Sequence, residues 1–206
     1  MCDNVVIHNE TEMGVDPKLC GIVYEFKQTF EQKYDKRLGE FHVYIKDNGF
    51  PYVDSVLISI NGLLKPKFNI LNISKGYLIE FDAEELKDTI AHEFSHIFNG
   101  DNEYKEKKAP ILFIYTGLFG IVCCLIGIFK SYIFAAILVI LLVFSDIVMY
   151  KIYKRELQEM EIRCDEEAIS IGRDVKHYLT TLEKLKPYGN PILLIERQDR
   201  IRQINK

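Results

Sequence analysis

Runs of Lys and Arg with aromatics between them, the pattern that grips a phosphate backbone, do not occur in this chain. Its 26 basic residues are outnumbered by 30 acidic ones, for a formal net charge of -4. No positive field is available to nucleic acid, and that class of partner is set aside. C-x-x-C pairs are also missing. The five cysteines, Cys2, Cys20, Cys123, Cys124 and Cys164, are odd in number and two are adjacent. That argues against a disulfide framework or a thiolate zinc site, and for a reduced compartment. The start, MCDNVVIHNETEMG, lacks the basic n-region, apolar middle and small-residue cleavage site of a secretory signal, and is read as retained in the cytoplasm.

Charge is nearly absent from two further stretches. ILFIYTGLFGIVCCLIGIF (111–129) has none, and YIFAAILVILLVFSDIVMY (132–150) has only Asp146. At about 1.5 Å per residue, each run approaches the thickness of a bilayer's hydrocarbon core. The remaining, mostly polar residues are too few to cover so much apolar surface, which makes a buried hairpin the poorer reading. The sequence therefore predicts two spans joined by a tight turn at Lys130-Ser131. Lys105, Lys107 and Lys108 precede them and Lys151, Lys154 and Arg155 follow, against Lys130 alone in the turn. The positive-inside rule then places both flanks, and with them the N- and C-termini, in the cytoplasm. Gly117, Gly120, Cys123, Cys124 and Gly127 give the first span a small-residue face on which the second can pack. Asp146 lies little more than a turn from the basic flank and is read as interfacial. The expected organisation is an N-terminal half (1–110), a membrane hairpin (111–150) and a helical C-terminal half (151–206).

Within the N-terminal half, Leu19, Ile22, Val23, Phe26 and Phe30 recur at helical spacing inside 16–36. FHVYI (41–45) and FNILNIS (68–74) alternate, and VDSVLISI (53–60) is rich in β-branched residues, so a small sheet of about three strands is expected. Asp82 with Glu85 forms a capping-box start and Asn99-Gly100 a stop, predicting a helix over 83–99. On it Leu86, Ile90, Phe94, Ile97 and Phe98 share one arc, while His92 and His96 stand roughly 40° apart on the other side.

Those histidines belong to HEFSH (92–96), an H-E-x-x-H sequence. Two imidazoles four residues apart on a helix can bind one Zn²⁺, and the glutamate after the first, Glu93, is placed to take a proton from the attacking water. A catalytic zinc needs a third protein ligand. EMEIRCDEEAISIG (159–172) reads as a helix in which Glu161 and Asp165 share a face. Glu161 is the candidate ligand, and Asp165 the group that orients a histidine by accepting its free N–H.

ISKGYLIEFDAEELKDTIAHEFSHIFNGD, the apolar stretch, and then EIRCDEEA together resemble the membrane zinc metallopeptidases that include the HtpX-like and CAAX prenyl proteases. The resemblance covers roughly 68–172 and rests on the order of the motifs. It implies an α+β, zincin-like fold with a small sheet and an HExxH helix, interrupted by the membrane hairpin. It also implies His92, His96 and Glu161 as zinc ligands, Glu93 as catalytic base, and Asp165 as a supporting partner. Members of this family usually carry membrane helices ahead of the soluble part as well, so this chain looks like a minimal form. Met160 stands where a basic residue is common, and Asn190 where many members have histidine, which leaves Arg200, Arg197 and His177 as candidate donors to the transition state. The strand at 68–74 is the expected edge for an extended substrate.

The function expected from this reading is a membrane-anchored endopeptidase with one Zn²⁺ per chain, cleaving protein or peptide substrates at the cytoplasmic face of the bilayer. Its rivals are a zinc-holding membrane module without turnover and a two-helix scaffold with a chance HEFSH.

Overall fold

The alternation in FHVYIK becomes a strand whose odd positions are buried: Phe41, Val43 and Ile45 point into the core while His42, Tyr44 and Lys46 stay half-exposed. The computed structural model describes residues 5–11, 17–38, 41–59, 67–104, 117–123, 125 and 132–204. In chain order its elements are β1 (Val5–Asn9), α1 (Pro17–Tyr34), β2 (Phe41–Lys46), β3 (Val53–Ser59), β4 (Lys67–Ser74), α2 (Lys75–Glu80) and α3 (Ala83–Asn99). They continue with α4 (Tyr132–Ser170), α5 (Val175–Leu185) and α6 (Pro191–Ile204). The fold is mixed α+β, mostly helical, with one small sheet.

That sheet has four strands in the order β1-β2-β4-β3, not about three. β1, β2 and β4 run parallel and β3 returns antiparallel beside β4, with Ser55 opposite Leu71. Strand β4 is thus interior, which corrects the expectation that 68–74 forms an edge. Among the described residues the edges are β1 and β3.

Helices α1 and α3 cover one face of the sheet. The stripe Leu19, Ile22, Val23, Phe26 and Phe30 on α1 is buried against Ile90, Phe94 and Phe98 of α3 and Phe41 of β2. Phe94 is the hub, its ring centroid 5.8 Å from that of Phe30 and 5.0 Å from that of Phe41. Each such buried side chain contributes roughly 1.5–3 kcal/mol. Gly76 is required where α2 passes the loop before β3, because a Cβ there would lie 2.2 Å from the carbonyl oxygen of Gly49.

Helix α3 begins and ends where its sequence says. Asp82 accepts from the N–H groups of Glu84 and Glu85, and the Glu85 carboxylate accepts from the Asp82 N–H, 2.8 Å away. At the other end Gly100 adopts φ 75, the left-handed cap that glycine reaches without strain. Asp82→Ala removes one half of this box and is expected to cost about 1 kcal/mol, read as a lower Tm in thermal unfolding of the detergent-solubilised chain. An unchanged Tm would show that the box is idle.

Contacts divide the chain into two units, Met1–Asn102 with Glu161–Lys206, and Glu103–Met160. The first unit unites the two polar segments expected on either side of the membrane stretch. Residues 151–160 fall in the second unit, where the sequence reading groups them with the C-terminal half.

In the second unit, residues 117–123 are helical and α4 begins at Tyr132. Among the described residues one helix is long and apolar enough to cross a membrane, with a mean hydropathy of 2.1 and none of its apolar window buried. Most of the first expected span (111–129), and the turn at Lys130-Ser131, lie outside the described residues. Gly120 faces α4, where a Cβ would sit 4.0 Å from Leu142 Cδ1, and Asp146 has an oxygen with no hydrogen-bond partner.

Cysteine pairing departs from expectation at one position. Cys20 on α1 is disulfide-bonded, whereas Cys123 and Cys164 are free.

Candidate metal centre

Two turns of α3 and two turns of α4 build the centre. His92 and His96 leave α3 on the same side, 5% and 3% exposed, with ring centroids 4.7 Å apart. Glu161 of α4 lies opposite: its Oε2 is 3.1 Å from His92 Nε2 and its Oε1 is 3.3 Å from His96 Nε2. The sequence spacing thus brings His92, His96 and Glu161 together, over the 65 positions from 96 to 161 that separate them in the chain.

The far nitrogen of each ring is held by its own carboxylate. His92 Nδ1 hydrogen-bonds Asp165 Oδ1 at 2.8 Å, the role expected of Asp165. His96 Nδ1 hydrogen-bonds Asp101 Oδ2 at 2.9 Å. Asp101 was missed by the sequence reading, although it follows the helix-stopping Gly100 directly. A ring whose Nδ1 is tied to a carboxylate presents Nε2 as its free ligand atom, in one orientation.

Asp165 is fully buried, and α5 and α6 satisfy it. Arg197 donates to it twice, from Nε to Oδ2 and from Nη2 to Oδ1, both at 2.6 Å, and the Tyr178 hydroxyl donates at 2.7 Å. Arg197 Nη1 stands 3.5 Å from Glu161 Oε2, so one guanidinium braces two of the acids. Burial raises the Tyr178 pKa and keeps that hydroxyl protonated as a donor. Of the three candidate transition-state donors, only Arg197 reaches the site. His177 pairs with Asp88 at 2.8 Å, and Arg200, on the exposed side of α6, pairs with Glu166 at 2.8 Å. Arg197 is buried and Arg200 exposed, although at three residues' separation they stand only about 60° apart around α6.

Electrostatics show what the cluster wants. Burial and the Arg197 charge press the His92 pKa down, but Asp165 and Glu161 outweigh them and it rises to about 9. Burial likewise opposes charge on His96, and the hydrogen bonds its ring donates to Asp101 and Glu161 carry its pKa upward. Glu161 moves the other way: burial raises its pKa, and its bonds to both imidazoles take it well below the carboxylate range.

A metal ion fits the donor set. The three groups offer ligand atoms within 4.8 Å of one another. Ligands about 2.1 Å from a tetrahedral zinc lie about 3.4 Å apart, close to the 3.1 and 3.3 Å found between imidazole nitrogen and carboxylate. Two imidazoles and a carboxylate are also the donor chemistry zinc takes in hydrolytic sites. A second grouping, His96 with Asp101 and Cys164, reads differently. His96 Nδ1 lies against both Asp101 Oδ2 and Cys164 Sγ, at 2.9 and 3.2 Å, and burial followed by the Asp101 charge pushes the Cys164 thiol pKa up, so that it donates to Asp101 in the metal-free protein.

Glu93 lines the same cleft as His92 and Glu161. Its Oε2 accepts the backbone N–H of Ser55 at 2.7 Å, a group on the free edge of β3. The base candidate therefore touches the edge strand, which the sequence could not show.

Replacing Asp101 or Asp165 by Asn keeps the shape but weakens the acceptor behind one imidazole. Each change is expected to lower metal affinity about 10- to 100-fold, with Asp165→Asn the more severe because Arg197 loses the nearer of its two charge partners. Chelator competition with a fluorescent zinc indicator measures this, and undiminished affinity in both variants would remove the two aspartates from the site. Comparison with models of known protein families, with curated proteins and with solved structures finds no match to this chain.

Proposed function

We propose that this chain is a membrane-anchored zinc metalloendopeptidase, its zincin-like domain completed across the apolar stretch and acting on protein or peptide substrates at the cytoplasmic face. The observation that carries the reading is the convergence of His92 and His96 Nε2 on Glu161, each ring held from behind by an aspartate, with Glu93 in the same cleft. The likeness to HtpX-like and CAAX prenyl proteases rests on sequence motifs alone.

His92, His96 and Glu161 would hold the ion. When bound, zinc supplies Lewis acidity that polarises a scissile carbonyl and makes water a nucleophile near neutral pH. Glu93 takes the proton of the attacking water and passes it to the leaving amine. Arg197 keeps Asp165 and Glu161 ionised and in place, with its Nη1 3.5 Å from Glu161 Oε2. The edge of β3 offers main-chain groups to an extended substrate, and Ser55 N–H, now on Glu93, is the one beside the base.

The rival, a zinc-holding module without turnover, has one observation in its favour. An oxygen of Glu93 is already occupied by the Ser55 N–H. Incubating zinc-loaded, detergent-purified protein with labelled casein separates the two readings: zinc-dependent cleavage supports the peptidase, and an inert protein with zinc bound supports the module.

The membrane hairpin is part of the proposal and rests on apolar runs and flanking charge. Against a cytoplasmic N-terminal half stands the disulfide at Cys20, a bond the cytosol keeps reduced. Reaction of an N-terminal tag with an impermeant reagent on intact cells decides the orientation. Protection supports the cytoplasmic placement, and labelling reverses it.

A further inference from the structure

Beyond its charged end, the cleft next to the metal centre is walled by apolar side chains. Its volume is about 240 Å³, and Phe50, Tyr77, Leu182, Leu185, Tyr188 and Leu194 line it. Phe50, 52% exposed, stands edge-on to Tyr188 with ring centroids 5.5 Å apart.

The polar groups of this wall are engaged with one another. Asp88, 1% exposed, takes Arg173 Nε at 2.7 Å, His177 Nδ1 at 2.8 Å and Thr181 Oγ1 at 2.8 Å. The Tyr77 hydroxyl is bound to Thr89 and to the Glu85 carbonyl, and the Tyr188 hydroxyl donates to Glu80. An incoming charged or amide side chain would shed its water and find these partners occupied. An apolar one loses nothing polar on entry. An apolar cavity of about 150 Å³ is enough to hold benzene, so this cleft has room for a benzyl or isobutyl group and part of the backbone that carries it.

We propose that this cleft selects substrates, receiving one bulky apolar side chain, from leucine to phenylalanine in size, beside the bond that is cut. The assignment rests on the peptidase reading for the word "cut" and on the wall alone for the side chain. Pockets of this kind separate ligands that differ by one methylene about 10- to 200-fold, and they separate apolar from ionised side chains at least as strongly.

The experiment is photo-crosslinking of the full-length, detergent-purified protein with a short peptide carrying p-benzoylphenylalanine, mapped by mass spectrometry, followed by cleavage profiling of a mixed peptide library. The expected label falls on Leu182–Tyr188 or Phe50. A tenfold excess of the same peptide with Phe or Leu at the probe position suppresses it, and the peptide with Glu does not. Label elsewhere, or equal suppression by the Glu peptide, overturns the pocket. Leu185→Ala, which widens a half-buried part of the wall, should shift the library preference toward larger side chains, and the competition arm stands even if that variant folds poorly. Label in the cleft with no cleavage sustains the pocket and defeats the peptidase. Cleavage with no side-chain preference, and label outside the cleft, does the reverse.

Discussion

Glu161→Ala is expected to purify with little or no zinc, whereas the native chain should carry about one ion, the stoichiometry that three protein ligands and one open position would give. The expected loss is large because the carboxylate meets both histidines, at 3.1 and 3.3 Å. Zinc in small peptide sites is worth about 10–16 kcal/mol in all. One ligand's share is therefore about 3 kcal/mol, a weakening of Kd by about two orders of magnitude. Elemental analysis after dialysis measures it, with Asp165→Asn as the milder comparison. A variant that keeps zinc as tightly as the native chain would remove Glu161 from the site and break the link between the two motifs.

The same cluster sets a pH dependence. In the metal-free protein the His92 pKa is raised to about 9 and that of His96 is raised as well. A raised folded-state pKa means that the charged rings stabilise the metal-free fold fully below their unfolded value of about 6.5. For His92 that contribution is lost as pH climbs through about 9. Zinc must displace the same protons, so its affinity should rise with pH across this interval and level off above it. Calorimetric titrations in buffers of different ionisation enthalpy count the protons released. Zinc binding that releases none at neutral pH would show that the rings bind it already neutral.

How much of this was legible in the chain follows from how local each feature is. Helix α3 could be read to the residue because a capping box, an apolar stripe and a glycine stop all act within a turn or two. The pairing of His92 and His96 with Glu161 was legible for a similar reason, since i, i+4 spacing puts ligands on one face of each helix. Strand order was not legible. Nothing in FNILNIS says that β2 and β3 will flank it, so β4 was taken for an edge and the true edge at β3, with Ser55 on Glu93, went unseen. Choosing among Arg197, Arg200 and His177 needed the rotation of α6 and the start of α5, which a marginally patterned helix does not reveal. Asp101 carries a local signal: an acid placed directly after the stop of a histidine-bearing helix lies within reach of the last ring. The Cys20 disulfide ran against an argument from cysteine count, which speaks for the whole chain and not for one residue.

Glu93→Gln is expected to keep zinc and lose cleavage. Glutamine is nearly isosteric with glutamate, and its carbonyl oxygen can still accept the Ser55 N–H that now lies 2.7 Å from the carboxylate. The edge strand, the cleft and the three metal ligands therefore stay as they are, and zinc content and photo-crosslinking should match the native chain. What the amide cannot do is take a proton from water and return it to the leaving amine. Positioned acid–base catalysis supplies about 10²- to 10⁴-fold, or roughly 3–5 kcal/mol of barrier, and a base used twice in one turnover should sit at the upper end. The fall should appear in kcat with KM little changed, because Glu93 contributes to the transition state more than to binding. Loss of zinc together with activity would instead mark Glu93 as a structural support for the centre. If the native protein, zinc-loaded and intact, were as inert as this variant toward apolar-rich peptides, the carboxylate would be serving the Ser55 N–H alone. The chain would then be a zinc-holding module whose base has been retired into the edge of its own sheet.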